Sequence, residues 1–236
     1  MVTTPGILTL PKRSLYTLGG LAVALIAGVG FARSYYLKSL FGAPALSPLL
    51  HVHGFVMSVW VMLFLAQTWL VAEGRVLLHR RLGLLAAFWA CLVLVVGTAT
   101  GITGARLGHT PGPPPLAFLA TPMVDMAVFA GFILGGLVLR ERREIHRRFM
   151  MLASISVLTP ALGRIPLEVI LQNRPFSAWI LTDLVLLLFI AVDTARNRRL
   201  HPVFAWGGLA LALSHPFRVA LSRTDLWLRF AAWLTQ

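Results

Sequence analysis

Apolar residues run in long blocks along this chain, and polar residues crowd into short gaps between them. A membrane crossing by a helix needs about 20 mostly apolar residues. On that measure the pattern predicts seven spans, near 15–32, 49–72, 82–101, 116–139, 149–171, 177–194 and 203–221. The gaps are punctuated by Pro44 and Pro48, by Glu73 to Arg81, by the Thr110 to Pro115 run, by Arg140 to Arg148 and by Arg196 to Pro202. The segment from Leu226 to Gln236 is too short to cross. Its Trp227, Phe230 and Trp233 predict a helix lying in the interface. The expected fold is all-α: a polytopic transmembrane helix bundle forming a single domain over 1–236.

Composition agrees with the pattern. Hydrophobic residues make up 58% of the chain, charged residues only 12%, and mean hydropathy is +0.80. A water-soluble domain of this length could not hide so much apolar surface in one core. The single Cys91 excludes disulfides within the chain and Cys-based zinc or CxxC redox chemistry. Lys12 and Arg13 precede the first apolar stretch as in a signal peptide. No small-x-small cleavage site follows, so the stretch is expected to stay as the first helix.

The net charge of +13 would suit nucleic acid, but its placement does not. Basic residues sit in the gaps, as topology signals do. Thirteen fall on one side: Lys12, Arg13, Arg75, Arg80, Arg81, Arg140, Arg142, Arg143, Arg147, Arg148, Arg196, Arg198 and Arg199. Seven fall on the other, and Arg164 lies within a span. The positive-inside rule then places the N-terminus in the cytoplasm and the C-terminus outside. Several classes drop out. Lys12 and Lys38 are the only lysines and neither lies in a span, so no retinal Schiff base can form as in a rhodopsin-like pump. Walker A, His-Glu-x-x-His and Gly-x-Ser-x-Gly motifs are absent. No convincing inverted repeat supports a secondary transporter, although Pro160 and Pro166 would open the fifth span's backbone near Arg164.

Ionisable residues inside spans are costly and are functional candidates by default. Counting helical rise from the predicted ends puts His53, Asp125, Arg164, Asp183 and His215 in one slice toward the outer face, each from a different span. Two readings follow. In one, Arg164 neutralises Asp125 or Asp183 and the slice only holds helices together. In the other, the slice is a pocket for a haem, a metal, a quinone or a proton, with His53 and His215 as candidate ligands. His51 and His53 lie about 200° apart on a helix, so they do not readily share one centre. His53 is the deeper, and Gly54 beside it would admit a close neighbour. His109 and His201 read as surface residues.

A second pattern lies at the inner helix starts. His79-Arg80-Arg81 and His146-Arg147-Arg148 stand 67 residues apart, opening the third and fifth spans. Both inner loops could simply need arginine. Alternatively, a low-spin b-type haem takes two neutral imidazoles from facing helices and cations at the membrane edge. His79 and His146 would be its axial ligands, Arg80 and Arg147 would meet its propionates, and Phe149, Met150 and Met151 would line it.

Two resemblances bear on this. Leu50-His51-Val52-His53-Gly54-Phe55-Val56-Met57 resembles the His-Pro-x-x-Met helix-2 signature of the ascorbate-linked two-haem transmembrane cytochromes, with Gly54 in place of the proline. That resemblance implies one haem between helices 3 and 5, where His79 and His146 stand, and another between helices 2 and 4, where Asp125 replaces the second histidine. The paired His-Arg-Arg openings with Arg164 downstream resemble more closely an uncharacterised family of bacterial multi-pass membrane proteins, over about residues 50–170. This implies a multi-pass protein of the bacterial inner membrane and no particular activity. The expected function is therefore a haem-binding redox protein passing electrons in the bilayer, with a quinol as candidate partner. The alternatives are a non-catalytic subunit or assembly factor of a larger membrane complex, or a small transporter.

Overall fold

The computed structural model describes residues 14–111 and 114–236; Lys12 and Arg13 lie outside them. Every regular element among the described residues is helical. In chain order these are α1 (Ser14–Phe31), α2 (Pro48–Ala72), α3 (Val76–Arg106), α4 (Pro115–Phe118), α5 (Ala120–Val138), α6 (Arg143–Ser156), α7 (Thr159–Leu162), α8 (Glu168–Gln172), α9 (Phe176–Asn197), α10 (Pro202–Ser222) and α11 (Asp225–Leu234). A π-helical turn, Ala32–Tyr36, continues α1, and a 3₁₀ turn, Lys38–Phe41, follows it.

Among the described residues, five segments are long and apolar enough to cross a membrane: Leu15–Tyr36, Pro48–Ala72, Val76–Arg106, Pro115–Val138 and Phe176–Asn197. Two of the seven expected spans differ from this. The stretch near 149–171 is not one helix. Proline lacks an N–H, and its ring collides with the carbonyl four residues back, so Pro160 stops α6 at Ser156 and sits in the first turn of the short α7, and Pro166 keeps α7 from running on into α8. The stretch near 203–221 is continuous as α10, but His215 and Arg218 hold its hydropathy below that of a self-sufficient span.

The broken helix is the centre of the bundle. Met151 to Leu158 are buried without interruption, and α6 packs against α1, α5, α9 and α10. Only Ser154 and Ser156 interrupt the apolar residues of that stretch, and Ser156 donates its hydroxyl to Ala153 O (2.8 Å), so every face of the stretch can be buried. By contrast, Leu84, Phe88 and Val95 on α3, Leu134 and Val138 on α5, and Leu184, Leu187 and Leu188 on α9 point outward. An apolar exterior of this extent matches a hydrocarbon surrounding. On α1, Gly30 lies so close to α7 that a Cβ there would overlap the backbone of Ala161. The last helix, α11, begins at the Thr224 cap, whose Oγ1 accepts from Trp227 N (3.2 Å). Trp227 in turn donates its indole N–H to Leu116 O on α4 (2.9 Å), while Leu226 and Trp233 face out. The alternating helix directions gather the starts of α1, α3, α6 and α10 and the ends of α2, α5 and α9 at one end, which also carries the arginine-rich turns.

Candidate functional site

At the arginine-rich end, the first turn of α3 carries His79 and the first turn of α6 carries His146. Their ring centroids are 6.3 Å apart and their planes meet at 79°. His146 Nδ1 lies 2.7 Å from Gly136 O on α5. A carbonyl can only accept, so Nδ1 carries the proton and the Nε2 lone pair is left for another partner. His79 is held by Gln67 of α2. With its amide nitrogen turned toward the ring, Gln67 donates to His79 Nδ1 (2.6 Å) and His79 O (3.1 Å) and accepts from Gly83 N (2.9 Å). Glycines make the neighbouring crossing possible: Phe149 packs on Gly135, and a Cβ at Gly136 would overlap Met150.

Whether two such rings fit one iron is a matter of lengths. Ring nitrogens each about 2 Å from a shared ion put the two centroids roughly 6 Å apart, as these are. Among the described residues no three His, Cys, Asp or Glu side chains gather to hold a metal ion by themselves. The pair His79 and His146 is therefore a two-imidazole cluster, with the proton of His146 on Nδ1 and, given the Gln67 donor at its Nδ1, that of His79 on Nε2. Arg80 is exposed beside His79. Arg147 is already engaged: it pairs with Glu144, and its guanidinium lies 4.8 Å from the Tyr16 ring centroid.

Next to this pair sits an interaction the sequence reading missed. Arg148, counted there as a topology signal, is 1% exposed and donates from Nε (3.1 Å) and Nη2 (2.7 Å) to Asp193 Oδ2 on α9. Tyr16 on α1 donates its hydroxyl to Asp193 Oδ1 (3.0 Å), and Arg148 Nη1 reaches Glu144 O and Oε2 (2.8 Å each). Burial works against the charged Glu144 carboxylate, but the hydrogen bond from Arg148 and the charges of Arg147 and Arg148 outweigh it and leave its pKa low. His201 caps α10, its Nδ1 accepting from Val203 N (3.2 Å). Its pKa is depressed, by burial first and then by Arg148. An acid near the end of a span, facing an arginine run, was the available signal for Asp193.

The opposite end holds the other polar cluster. Asp125 on α5 accepts from Arg218 Nη1 (2.6 Å) of α10, and Ser214 takes up the rest of that guanidinium through its carbonyl (3.0 Å) and hydroxyl (2.8 Å). His215 Nε2 donates to Asp183 Oδ1 (3.2 Å) on α9. Trp179 stacks on His215 with centroids 5.4 Å apart, and Arg218 lies 5.6 Å from its ring. The expected neutraliser, Arg164, reaches neither carboxylate. The break after α7 turns it outward, where it donates to Pro160 O (2.8 Å) and sits over Phe31 (4.9 Å). Arg218, three residues past His215, does that work instead. His53 is half-buried on α2 beside Gly54, against which the Tyr35 ring packs. Its Nδ1 has no hydrogen-bond partner among the described residues, and it makes no ring contact with His215.

This is an all-helical chain of the multi-pass membrane type, with paired histidines at one end and buried ion pairs at both. No family model, curated protein or solved structure matches it.

Proposed function

We propose that the protein is a haem-binding redox protein of the bilayer, with His79 and His146 as the axial ligands of one b-type haem. The observation that carries this reading is the 6.3 Å spacing of two imidazoles from the first turns of α3 and α6, with the Nδ1 proton of His146 tied to a carbonyl and its Nε2 lone pair left over. Hydrogen bonding at the outer nitrogen is how proteins orient histidine ligands. For His79 to take the same state, the Gln67 amide would have to turn over and accept from Nδ1–H, giving up its bonds to His79 O and Gly83 N. Arg80 is the cation nearest to hand for a propionate. When bound, the haem supplies one-electron chemistry, and the chain's part is to hold the two rings apart and screen them with Phe149 and Met150. A quinol is the candidate electron partner within the membrane.

The proposal extends to topology. Seven crossings, with α6 to α8 together forming the fifth, account for the alternation of arginine-rich and arginine-poor turns. The positive-inside rule puts the paired histidines on the cytoplasmic side of a bacterial inner membrane.

The test is the visible spectrum of the purified protein, oxidised and dithionite-reduced, with iron per chain. Sharp reduced bands that are lost or converted to high spin in both His79→Ala and His146→Ala support the assignment. Pigment that is unchanged in both variants removes these ligands. A colourless, iron-free protein from haem-replete cells overturns the reading and favours a non-catalytic subunit.

A further inference from the structure

We propose that a groove between α5, α6 and α10 binds an anionic phospholipid, with an acyl chain in the groove and the phosphate at the Arg140–Arg143 turn. This rests on the membrane setting of the bundle and is independent of the haem assignment. The groove encloses about 530 Å³ and its walls are apolar, among them Gly131, Leu139, Ile145, Phe149, Trp206 and Ala210. Gly131 opens it, because a Cβ at that position would meet nothing within 4 Å.

Length identifies the occupant. Along α5 the lining runs from Val128 to Leu139, which is roughly 16 Å at the rise of an α-helix. One leaflet's share of a hydrocarbon core about 30 Å thick is about 15 Å. The groove therefore spans the depth of one leaflet and ends where an acyl chain's headgroup begins.

Charge selects the headgroup. Leu139 and Ile145 line the groove's mouth, and the turn between them holds Arg140, Arg142 and Arg143 against a single acid, Glu141. All four are exposed, and none takes part in an ion pair among the described residues. Arg198 and Arg199 face the same end from the α9–α10 turn, beside Pro202, which also lines the groove. The other arginines of that region, Arg147 and Arg148, are occupied by Glu144 and Asp193. Basic pockets between helices at this depth suit lipid phosphates. Trp206, 72% exposed near the start of α10, stands where an indole flanks the headgroup region.

The experiment is native mass spectrometry of the full-length protein in detergent, titrated with dioleoyl-phosphatidylglycerol or dioleoyl-phosphatidylcholine, with melting temperature recorded alongside. The wild type is expected to retain phosphatidylglycerol at least tenfold better than phosphatidylcholine and to melt higher with it. Gly131→Leu projects a side chain into the groove from a position where its Cβ meets nothing within 4 Å. It should melt in detergent alone no lower than wild type, yet lose the retained lipid. Replacing Arg140, Arg142 and Arg143 together by Gln should erase the preference while leaving the fold intact. Equal retention of the two lipids by the wild type, undiminished phosphatidylglycerol on a folded Gly131→Leu protein, or a co-purifying quinone that Gly131→Leu expels would each overturn the proposal.

Discussion

Replacing Asp193 by Leu removes the acceptor at the centre of the inner network while keeping a side chain branched at Cγ with the same number of heavy atoms. Arg148 would lose two of its hydrogen bonds and keep those from Nη1 to Glu144. Breaking a buried ion pair by deleting one partner costs about 3–5 kcal/mol. The remaining Glu144 carboxylate is 59% exposed and screened, so it compensates only in part and places the loss near 3 kcal/mol. The orphaned Tyr16 hydroxyl adds about 1 kcal/mol, giving a total of about 4 kcal/mol. Changing Arg148 to Met in the same chain removes the uncompensated charge, and the double variant should return to within about 1 kcal/mol of wild type. Unfolding in mixed micelles, followed by tryptophan fluorescence, reads all four corners of this cycle. The reasoning fails if Asp193→Leu lies within about 1 kcal/mol of wild type, or if the double variant is as unstable as the two single variants summed.

Three further outcomes follow from the geometry. Gly30→Ala should destabilise by about 1–3 kcal/mol, because the Ala161 backbone cannot yield, whereas Gly131→Ala should gain about 1 kcal/mol; the same unfolding assay compares them, and equal effects would contradict the packing described. His201 has a depressed pKa, so its contribution is complete above its ordinary value and is lost as pH falls through the folded one. A proton on Nδ1 would also end the α10 cap, worth about 1 kcal/mol, with Asp193 and Glu144 only partly offsetting the influence of Arg148. Stability should thus fall as pH drops below the ordinary histidine range, about 6.5, in wild type, and this component should vanish in His201→Asn, which keeps a capping oxygen. In haem-loaded protein, Gln67→Leu should weaken retention roughly 10–100-fold, read as reduced absorbance per chain after dilution; unaltered retention would remove Gln67 from the site.

Much of the fold was legible because hydrocarbon solvent demands long apolar runs, and α1, α2, α3, α5 and α9 supply them. The break between α6 and α8 was written in Pro160 and Pro166, but hydropathy averages over a proline and so extends a span through it. Asp125, Asp183 and His215 stood out as ionisable residues inside apolar runs. Asp183 and His215 partner each other, but the partner of Asp125 did not stand out: Arg218 lies near a helix end, where arginine is ordinary, and its reach back to Asp125 depends on how α10 crosses α5. Arg148 was hidden more thoroughly. In a run of five arginines within nine residues, nothing local separates the one that turns inward from those that face the headgroups.

Under the proposed seven-crossing topology, Arg218 and His215 would also bear on how the polypeptide is put into the membrane. Each lies on α10, the one long helix of the bundle whose own hydropathy falls short of a crossing. Their counter-groups, Asp125 and Asp183, are on α5 and α9, both made earlier by the ribosome and both apolar enough to enter unaided. The order of synthesis thus delivers two waiting acids before the basic helix leaves the translocation channel. In that topology α10 would be recruited by partners already in the bilayer, and a chain deprived of Asp125 and Asp183 is expected to leave it stranded at the surface, which glycosylation or protease mapping of the C-terminal helix would report.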